Sequence, residues 1–402
     1  MPGPLHGYRI VDLTAMISGP LGTMILADQG ADVIKVENPR GGDFTRASDN
    51  RRGGFSASFL NNNRNKRSLS LNLKDPRGLA VLERLVRDAD VFVQNFRPGV
   101  AERMGIGEAA IRKRAPSIVY VSISGFGDRG PYAHKPVYDP LVQALSGLTT
   151  VQGGSDEARP RLVRTIVPDK LTGITASQAI TAALLARERS GQGQHVRLSM
   201  LDSVVAFLWG SDMGSQTFAE QELPQQEAQS FIDLIYETGD GYISVAVQSD
   251  KEWSGLTRAL ERPDWLEDPR FKSPALRQKN IDARLDLTQE VLRTRSSAEW
   301  LERLEAEDVP CVPVLTRRQM IDHPQIVESA LIVESDHAQA GRLRQARPAA
   351  RFSETPAGIR FGGAELGAHN AEVLGELGYS AAEIEALRRD GVIGTPEAEA
   401  AE

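Results

Sequence analysis

The sequence predicts an α/β protein whose larger part is built on a parallel sheet. Short runs rich in β-branched residues alternate with amphipathic stretches through the first half of the chain. Apolar residues follow one another within these runs, which is typical of strands that are covered on both faces. After about residue 230 the pattern changes to shorter strands and closely spaced helices. We therefore expect a Rossmann-like large domain and a second, smaller α+β domain.

The first half alternates strand and helix signals in chain order. In the second predicted helix, Leu79, Leu82 and Leu85 recur at helical spacing, and Gly30 is a typical end for the first. The predicted strands are Tyr8–Leu13, Ala31–Glu37, Ser68–Leu73, Val91–Phe96, Ile118–Ser124 and His195–Met200. The predicted helices are Pro20–Gln29, Pro76–Asp88, Lys170–Arg189 and Leu201–Ala219.

The polar stretch Glu220–Gln229 indicates a linker, because it is rich in Gln and Glu and contains Pro224. The segments Phe231–Glu237 and Tyr242–Val247 alternate at strand period around a Gly-Asp-Gly turn, which predicts a hairpin. Further predictions are helices at Lys251–Glu261, Asn280–Thr294, Ser297–Glu307 and Ala381–Asp390, a strand at Val309–Leu315, and a frayed tail at Thr395–Glu402. The predicted boundaries are 1–220 for the first part of the large domain, 221–230 for the linker, 231–325 for the small domain and 326–402 for a return segment.

Composition narrows the possible functions. A net charge of −7 over 402 residues and a pI near 5.6 argue against nucleic acid as the main partner. The single cysteine, Cys311, excludes an intrachain disulfide and fits a reducing cytosol. The first residues lack the features of a signal peptide, and no apolar run approaches membrane-spanning length. We therefore expect a cytoplasmic protein with no nucleic-acid or membrane partner.

Several common active-site motifs are absent from the sequence. The loop after the first strand, Ala15–Gly22, lacks the G-x-G-x-x-G spacing of a nicotinamide site. A Walker loop and a G-x-S-x-G elbow are also missing. The six histidines are scattered and have no cysteine partners, so no metal site is expected. Carboxylates remain the natural catalytic candidates.

Asp169 lies where an apolar stretch ends and a long helical pattern begins. An aspartate at a helix start accepts free N–H groups, and the helix dipole favours its negative charge. That environment is expected to keep the carboxylate ionised. One interpretation is a structural N-cap, and the other is a carboxylate nucleophile, which must also be ionised. Local sequence leaves both open.

Sequence blocks spread over nearly the whole chain occur in an order and spacing that coincidence does not explain. They are Pro4–Thr14, Gly19-Pro20, Leu26–Glu37, Asn65–Ser68, Leu71–Lys74, Asn95–Val100, Arg103–Gly105, Gly125–Tyr132, Tyr138-Asp139, Gly191–Gln194 and Leu374–Tyr379. Together they resemble the class III CoA-transferase family, which contains formyl-CoA transferase and carnitine CoA-transferase. The resemblance implies a return segment that completes the large domain, and a homodimer of two interlocked chains.

The resemblance also implies a site and a reaction. The family's catalytic aspartate falls on Asp169, with Tyr138 and Asp139 expected to orient the substrate or Asp169. The CoA-contacting positions that it implies are Ile17, Ser18, Arg40, Leu71, Lys74, Asn95, Phe96, Arg97, Arg103 and Lys135. No permanently bound cofactor is implied, because coenzyme A and acyl-CoA are substrates. The implied reaction transfers CoA from an acyl-CoA to a carboxylic acid through an aspartyl-CoA thioester on Asp169.

Some positions depart from formyl-CoA transferase, and other functions stay open. Ile17 and Asn38 replace a Gln and an Arg of that enzyme, which puts its substrate specificity in doubt but not the transfer chemistry. A 2-methylacyl-CoA racemase on the same fold is one alternative, although Tyr138 stands where such racemases carry a histidine. A catalytically silent CoA-binding protein is another. Arg161 and Arg164 could pair with the second carboxylate of a dicarboxylate, or could be ordinary surface charges.

Overall fold

The computed structural model describes residues 3–220 and 234–394, and this part of the chain divides between two units. Unit 1 comprises Met1–Leu223 and Ala330–Glu402, and unit 2 comprises Pro224–Ser329. Three predicted segments lie outside the described residues: the linker after Glu220, the first three residues of the hairpin, and the tail. Among the helices of the described ranges, none is long and apolar enough to cross a membrane.

Unit 1 is built on a six-stranded sheet in which every neighbouring pair of strands is parallel. The strands are β1 (Arg9–Asp12), β2 (Asp32–Glu37), β3 (Lys66–Ser70), β4 (Val91–Gln94), β5 (Val119–Ser124) and β6 (His195–Ser199). Their spatial order is β3-β2-β1-β4-β5-β6. The predicted α/β class with a parallel sheet is confirmed. The strand order reverses between β1 and β4, and ligands of such sheets bind beyond the carboxyl ends of the strands at this point.

Helices cover both faces of the sheet. In unit 1 they are α1 (Ser18–Asp28), α2 (Ala57–Asn63), α3 (Pro76–Arg87), α4 (Val100–Arg103), α5 (Glu108–Arg114), α6 (Asp139–Leu145), α7 (Leu148–Gly153), α8 (Val167–Ser190) and α9 (Met200–Leu208). Successive residues of a strand face opposite sides, so Val11 and Phe92 pack into the core beneath α3, whereas Ile10 and Val91 pack beneath α1 and α8.

Unit 2 has its own core around a three-stranded antiparallel sheet. The strands are β7 (Ile235–Glu237), β8 (Tyr242–Val245) and β9 (Cys311–Pro313). The helices are α10 (Asp250–Ala259), α11 (Pro274–Lys279), α12 (Ile281–Leu292), α13 (Ser297–Ala306), α14 (Arg317–Asp322) and α15 (Pro324–Glu328). β7 and β8 pair in an antiparallel hairpin around the predicted turn.

The return to unit 1 contains a ladder that we did not predict, formed by β10 (Ile332–His337) and β11 (Gly341–Ala346). It ends with α16 (Asn370–Glu376) and α17 (Ala381–Arg389), which pack their apolar residues into the core beneath α3. The prediction of one helix over Leu201–Ala219 was wrong. Helix α9 ends at Leu208, and turns follow through a Gly- and Ser-containing stretch, since such residues disfavour a helix interior.

Candidate active site

Asp169 is the third residue of α8 and is half-buried. The cap position of this helix is Ile166, which makes no side-chain capping bond. The prediction that Asp169 caps the helix was therefore wrong, because α8 begins at Val167, earlier than the apolar pattern suggested. The Asp169 carboxylate lies in the first turn, where the helix dipole still favours a negative charge.

A second carboxylate, that of Asp139, lies beside Asp169. Asp139 is the first residue of α6 and is buried, with 5% of its surface exposed. Its Oδ2 accepts the backbone N–H of Asp169 at 3.4 Å, and its Oδ1 accepts the Gln143 Nε2 at 2.6 Å. Sequence analysis missed Gln143, because it predicted no helix here and the spacing of four residues from Asp139 carries a signal only on a helix. The two aspartates form a fixed pair of close negative charges.

Burial and the charge of Asp139 together raise the pKa of Asp169 to about 6. Burial has the larger effect, and hydrogen bonds from the backbone N–H and the hydroxyl of Ser18 act in the opposite direction. Burial also raises the pKa of Asp139. The expectation of a firmly ionised carboxylate was wrong, because it considered only the helix start. At neutral pH the Asp169 side chain is still mostly ionised, but in a destabilised form.

Ser18 reaches Asp169 because α1 and α8 pack at very short range. A Cβ atom on Gly173 would lie 2.8 Å from the Ser18 carbonyl oxygen, and one on Gly22 would lie 2.9 Å from the Gly173 carbonyl oxygen. Only glycine permits this approach. We call this close contact of Gly22 with Gly173 the glycine pair. Ser18 is the first residue of α1, so the unpaired N–H groups in the first turn of that helix lie on the side of the carboxylate.

The loop between β1 and α1 carries a further candidate residue. Asn95 follows β4 and holds Ala15 at both backbone groups: its Oδ1 accepts the Ala15 N–H at 3.0 Å, and its Nδ2 donates to the Ala15 carbonyl at 2.8 Å. The next residue, Met16, adopts a φ of 71°. Asn95 thus supports this loop across the switch point between β1 and β4.

A cavity of about 230 Å³ opens beside this loop at the carboxyl ends of β1 and β2. Three of the predicted CoA-contacting residues line it, namely Leu71, Lys74 and Phe96, together with Ala15 and Asn38. Lys74 is exposed at its rim, while Leu71 is buried in its wall. This is the position at which a doubly wound sheet binds its ligand.

The other predicted CoA-contacting residues lie outside the lining of this cavity. Arg97 lines a neighbouring cavity of about 330 Å³, which shares Phe96 with the first. Arg40 and Arg103 are exposed, and the Lys135 ammonium sits 3.2 Å from the centre of the Tyr132 ring. Ile17 and Ser18 lie at the start of α1, on the Asp169 side of the loop.

Tyr138 and His134, which bear on the racemase alternative, are both exposed, and Tyr138 has 70% of its surface accessible. An exposed tyrosine is a poor base for an α-proton at neutral pH. Within residues 3–220 and 234–394 there is no cluster of three or more His, Cys, Asp or Glu side chains that could hold a metal ion.

Comparison with known proteins gives consistent matches over most of the chain. The family model of CoA-transferase family III matches residues 5–370. The chain is similar to the succinyl-CoA:glutarate CoA-transferase of Mus musculus, with 34% identity over 97% of this chain and 90% of the relative. It is also 34% identical to the formyl-CoA:oxalate CoA-transferase of Streptomyces avermitilis, over 98% of this chain and 100% of the relative. Among solved structures, a CAIB/BAIF family protein from Brucella suis superimposes with a TM-score of 0.81 at 28% identity, covering 94% of this chain and 100% of that one.

Proposed function

Because this chain belongs to CoA-transferase family III and is a class III CoA-transferase, we propose that it transfers CoA from an acyl-CoA to a carboxylic acid through a covalent intermediate on Asp169. One observation carries the proposal. Asp169 is a half-buried carboxylate, destabilised in its charged form, beside the hydrogen-bond donors at the start of α1. Tyr138 and Asp139 take positioning roles around it.

The steps balance without water or ATP. An Asp169 carboxylate oxygen attacks the thioester carbonyl, the carbon–sulfur bond breaks, and CoA leaves as a thiolate from the resulting mixed anhydride. The thiolate then attacks the aspartyl carbonyl, releasing the donor acid and leaving aspartyl-CoA. The acceptor carboxylate attacks this thioester and displaces the thiolate again. Finally, the thiolate attacks the acceptor's carbonyl in the new anhydride, giving the new acyl-CoA and the free Asp169 carboxylate.

The unfavourable charge of Asp169 assists these steps. A rise in pKa from 3.8 to about 6 corresponds to about 3 kcal/mol of destabilisation of the ionised form. The anhydride and the thioester are both neutral at Asp169, so the repulsion from Asp139 is relieved when either forms. Each tetrahedral intermediate at the aspartyl carbonyl carries an oxyanion, which the N–H and hydroxyl of Ser18 stabilise.

CoA binds at the cavity beside the β1–α1 loop. Leu71 and Phe96 supply apolar contacts, and Asn95 holds the cavity wall by its bonds to Ala15. Cationic side chains at the positions that the resemblance implied pair with the phosphates of CoA, and arginine is suited to bidentate contacts. These cations are Arg40, Lys74, Arg97, Arg103 and Lys135. Ile17 lies between the cavity and Asp169.

The acid partner is proposed to be a dicarboxylate. Arg161 and Arg164 precede Asp169 by eight and five residues, are exposed, and form no salt bridge within the described part of the chain. The backbone of this segment is fixed, since Gln143 binds both the N–H and the carbonyl of Val163. The mouse relative is named for succinyl-CoA and glutarate, and both of the acids concerned, succinic and glutaric, are dicarboxylic.

We also propose that two chains form the homodimer that the resemblance implied, and that the protein works in the cytoplasm. The surface of unit 1 carries large exposed apolar side chains on the helices that follow the site, including Leu141, Ile174 and Phe207. Single apolar residues are common on surfaces, but several on neighbouring helices favour a covered face. Size-exclusion chromatography with light scattering tests this, because a mass near 44 kDa contradicts the dimer.

The covalent step is tested by trapping. The enzyme is mixed with succinyl-CoA without an acceptor acid, quenched, digested and analysed by mass spectrometry. We expect CoA on the peptide that contains Asp169, removable by hydroxylamine, and no adduct in Asp169→Asn. Asp49→Asn, an exposed aspartate of the same unit, is the control and should keep the adduct. Full turnover by Asp169→Asn, or an adduct on another residue, would contradict the proposal.

The dicarboxylate is tested by a matrix of acceptors. Glutarate and succinate are compared with butyrate and valerate, with Arg164→Met beside wild type. Arg164→Met should raise the KM for glutarate about tenfold and leave the KM for valerate unchanged, since one charge-assisted contact contributes about 1.5 kcal/mol. Arg189→Met, an exposed arginine at the far end of α8, is the control. Equal use of monocarboxylates by the wild-type enzyme would refute the dicarboxylate.

A further inference from the structure

Four charged side chains lie buried beneath the β1–α1 loop, and none of them acts on the reacting atoms in the proposed reaction, although Asp43 borders the proposed CoA cavity. They are Asp12, Lys35, Asp43 and Lys66, and each has at most 3% of its surface exposed. We call them the buried ion cluster. Taking charges out of water is costly unless they are closely paired and hydrogen-bonded, so such a cluster in an otherwise apolar sheet is unusual.

The first pair of the cluster holds both ends of the loop segment. Lys66 Nζ lies 3.0 Å from Asp12 Oδ2 and donates to the Pro20 carbonyl in α1 at 2.8 Å. Asp12 Oδ1 accepts the backbone N–H of Thr14 at 2.9 Å. Burial and the nearby Lys35 lower the pKa of Lys66 to about 8 against the attraction of Asp12. The pair therefore connects the start of the loop with the first turn of α1.

The second pair holds the middle of the loop. Lys35 Nζ lies 2.9 Å from Asp43 Oδ2 and donates to the Thr14 carbonyl at 2.8 Å. Asp43 Oδ1 accepts the Met16 N–H at 3.2 Å. Since Asn95 binds both backbone groups of Ala15, five successive backbone groups from the Thr14 N–H to the Met16 N–H are all bound by side chains.

This support explains how Met16 can hold its unusual backbone. A φ of 71° is left-handed, and a residue with a side chain keeps that conformation only where its surroundings impose it. The left-handed turn at Met16 directs the chain into Ile17 and Ser18, where α1 begins. Ser18 in turn lies close enough to Asp169 for its N–H and hydroxyl to lower the pKa of that carboxyl.

We propose that the buried ion cluster consists of positioning residues: it imposes the left-handed turn at Met16 and thereby places the Ser18 donors against the Asp169 carboxylate. The inference rests on the proposed role of Asp169 as nucleophile. It assigns to Asp12, Lys35, Asp43 and Lys66 an effect on the chemical step that is transmitted through the loop backbone, without contact with either substrate's reacting atoms.

The same unit offers a matched control. Arg64 and Asp28 form another buried ion pair, at 2.8 Å, with 5% and 4% of their surfaces exposed. Arg64 also donates to the Ala346 carbonyl in the return segment, and neither residue bonds to the β1–α1 loop. Removing this pair should cost stability as removing a cluster pair does, with no effect on the loop.

The test compares two double variants, Lys35→Met with Asp43→Asn, and Arg64→Met with Asp28→Asn. Each removes both charges of a pair, so no unpaired charge is left buried. Backbone hydrogen exchange of the peptide containing residues 14–18 is measured by mass spectrometry, together with thermal melting and the pH dependence of kcat and kcat/KM. If the first double variant does not fold, Asp43→Asn alone, which keeps an acceptor for Met16, is measured in the same way.

In the Lys35/Asp43 variant we expect at least tenfold faster exchange in the loop, a kcat at least tenfold lower and an acid limb moved to higher pH, because the Ser18 bonds that oppose protonation are weakened. In the Arg64/Asp28 variant the exchange rate of the loop and kcat should stay within twofold of wild type, and the acid limb should not move. Unchanged loop exchange or kcat in the first variant, or an equal loss of kcat in the control, overturns the inference. Failure of the proposed function looks different: Asp169→Asn would retain full transfer.

Discussion

Replacing Asp169 with Asn should abolish CoA transfer and, at the same time, make the folded protein more stable. The ionised carboxylate is disfavoured by burial and by Asp139, which raise its pKa from 3.8 to about 6. That difference corresponds to about 3 kcal/mol at pH 7.5. Solvent screening of a half-buried group and altered bonding to Ser18 reduce the gain, so we expect about 1–2 kcal/mol.

The gain in stability of Asp169→Asn over wild type should be larger at high pH than at low pH. An aspartate whose pKa is higher in the folded state binds its proton more tightly there, so it destabilises the fold increasingly as the pH rises from the ordinary pKa of 3.8 to the raised pKa of about 6. This penalty is complete above about pH 7, about half as large at pH 5, and absent below about pH 3. An asparagine has no such titration. The stability difference between the two proteins should therefore shrink as the pH falls from 7.5 to 5.

Thermal unfolding at pH 7.5 and pH 5 measures the effect. For a unit of this size, 1–2 kcal/mol corresponds to a rise in melting temperature of about 2–3 °C. Asp49→Asn, an exposed aspartate in the same unit, is the control and should change the melting temperature by less than about 1 °C. A melting temperature of Asp169→Asn at or below that of wild type at pH 7.5, or a gain that is the same at both pH values, would refute the reasoning.

Three further predictions follow from the same geometry. Gly173→Ala places a Cβ 2.8 Å from the Ser18 carbonyl, so it should lower the free energy of unfolding by about 1–3 kcal/mol and remove most of kcat. The control Gly375→Ala, in α16 with open space around it, should raise the free energy of unfolding by up to about 1 kcal/mol. Equal melting temperatures of the two variants would contradict the close packing. Asp139→Asn removes the repelling charge and should move the acid limb of kcat/KM from near pH 6 to lower pH by up to about one unit; a limb that stays or rises would show that Asp139 is not the cause. Lys74→Met should raise the KM for acyl-CoA about three- to tenfold at low salt with little change in kcat, and the ratio should fall in 0.5 M NaCl; an effect independent of salt would argue against phosphate pairing.

The strands and helices of the sheet could be predicted from sequence because the patterns that reveal them depend only on neighbouring residues. Continuous apolar runs such as Ala31–Glu37 and helical spacing in Pro76–Asp88 reflect which faces of an element are buried, and both elements appear within a few residues of their predicted bounds. The boundaries of α8 and α9 were less accurate, because helix ends depend on capping and on glycine-containing turns more than on periodicity.

The electrostatics of the site could not be predicted from sequence. The pKa of Asp169 depends on Asp139, thirty residues earlier, and on Ser18, which only the packing of α1 against α8 brings near. Sequence analysis singled out neither Lys35, inside a predicted strand, nor Lys66, two residues before one, although a lysine in an otherwise apolar strand was an available signal of a buried charge. Long-range proximity is the missing information in each case.

The glycine pair gives the spacing between nucleophile and donors an unusual origin. Ser18 and Asp169 lie on separate helices, and the separation of those helices is set by backbone atoms of Gly22 and Gly173. No rotamer can alter the distance between the two helix backbones, so substitutions of side chains that contact the acceptor acid leave this separation unchanged. Acceptor preference can therefore drift, in evolution or by engineering, while the reactive geometry is inherited unchanged.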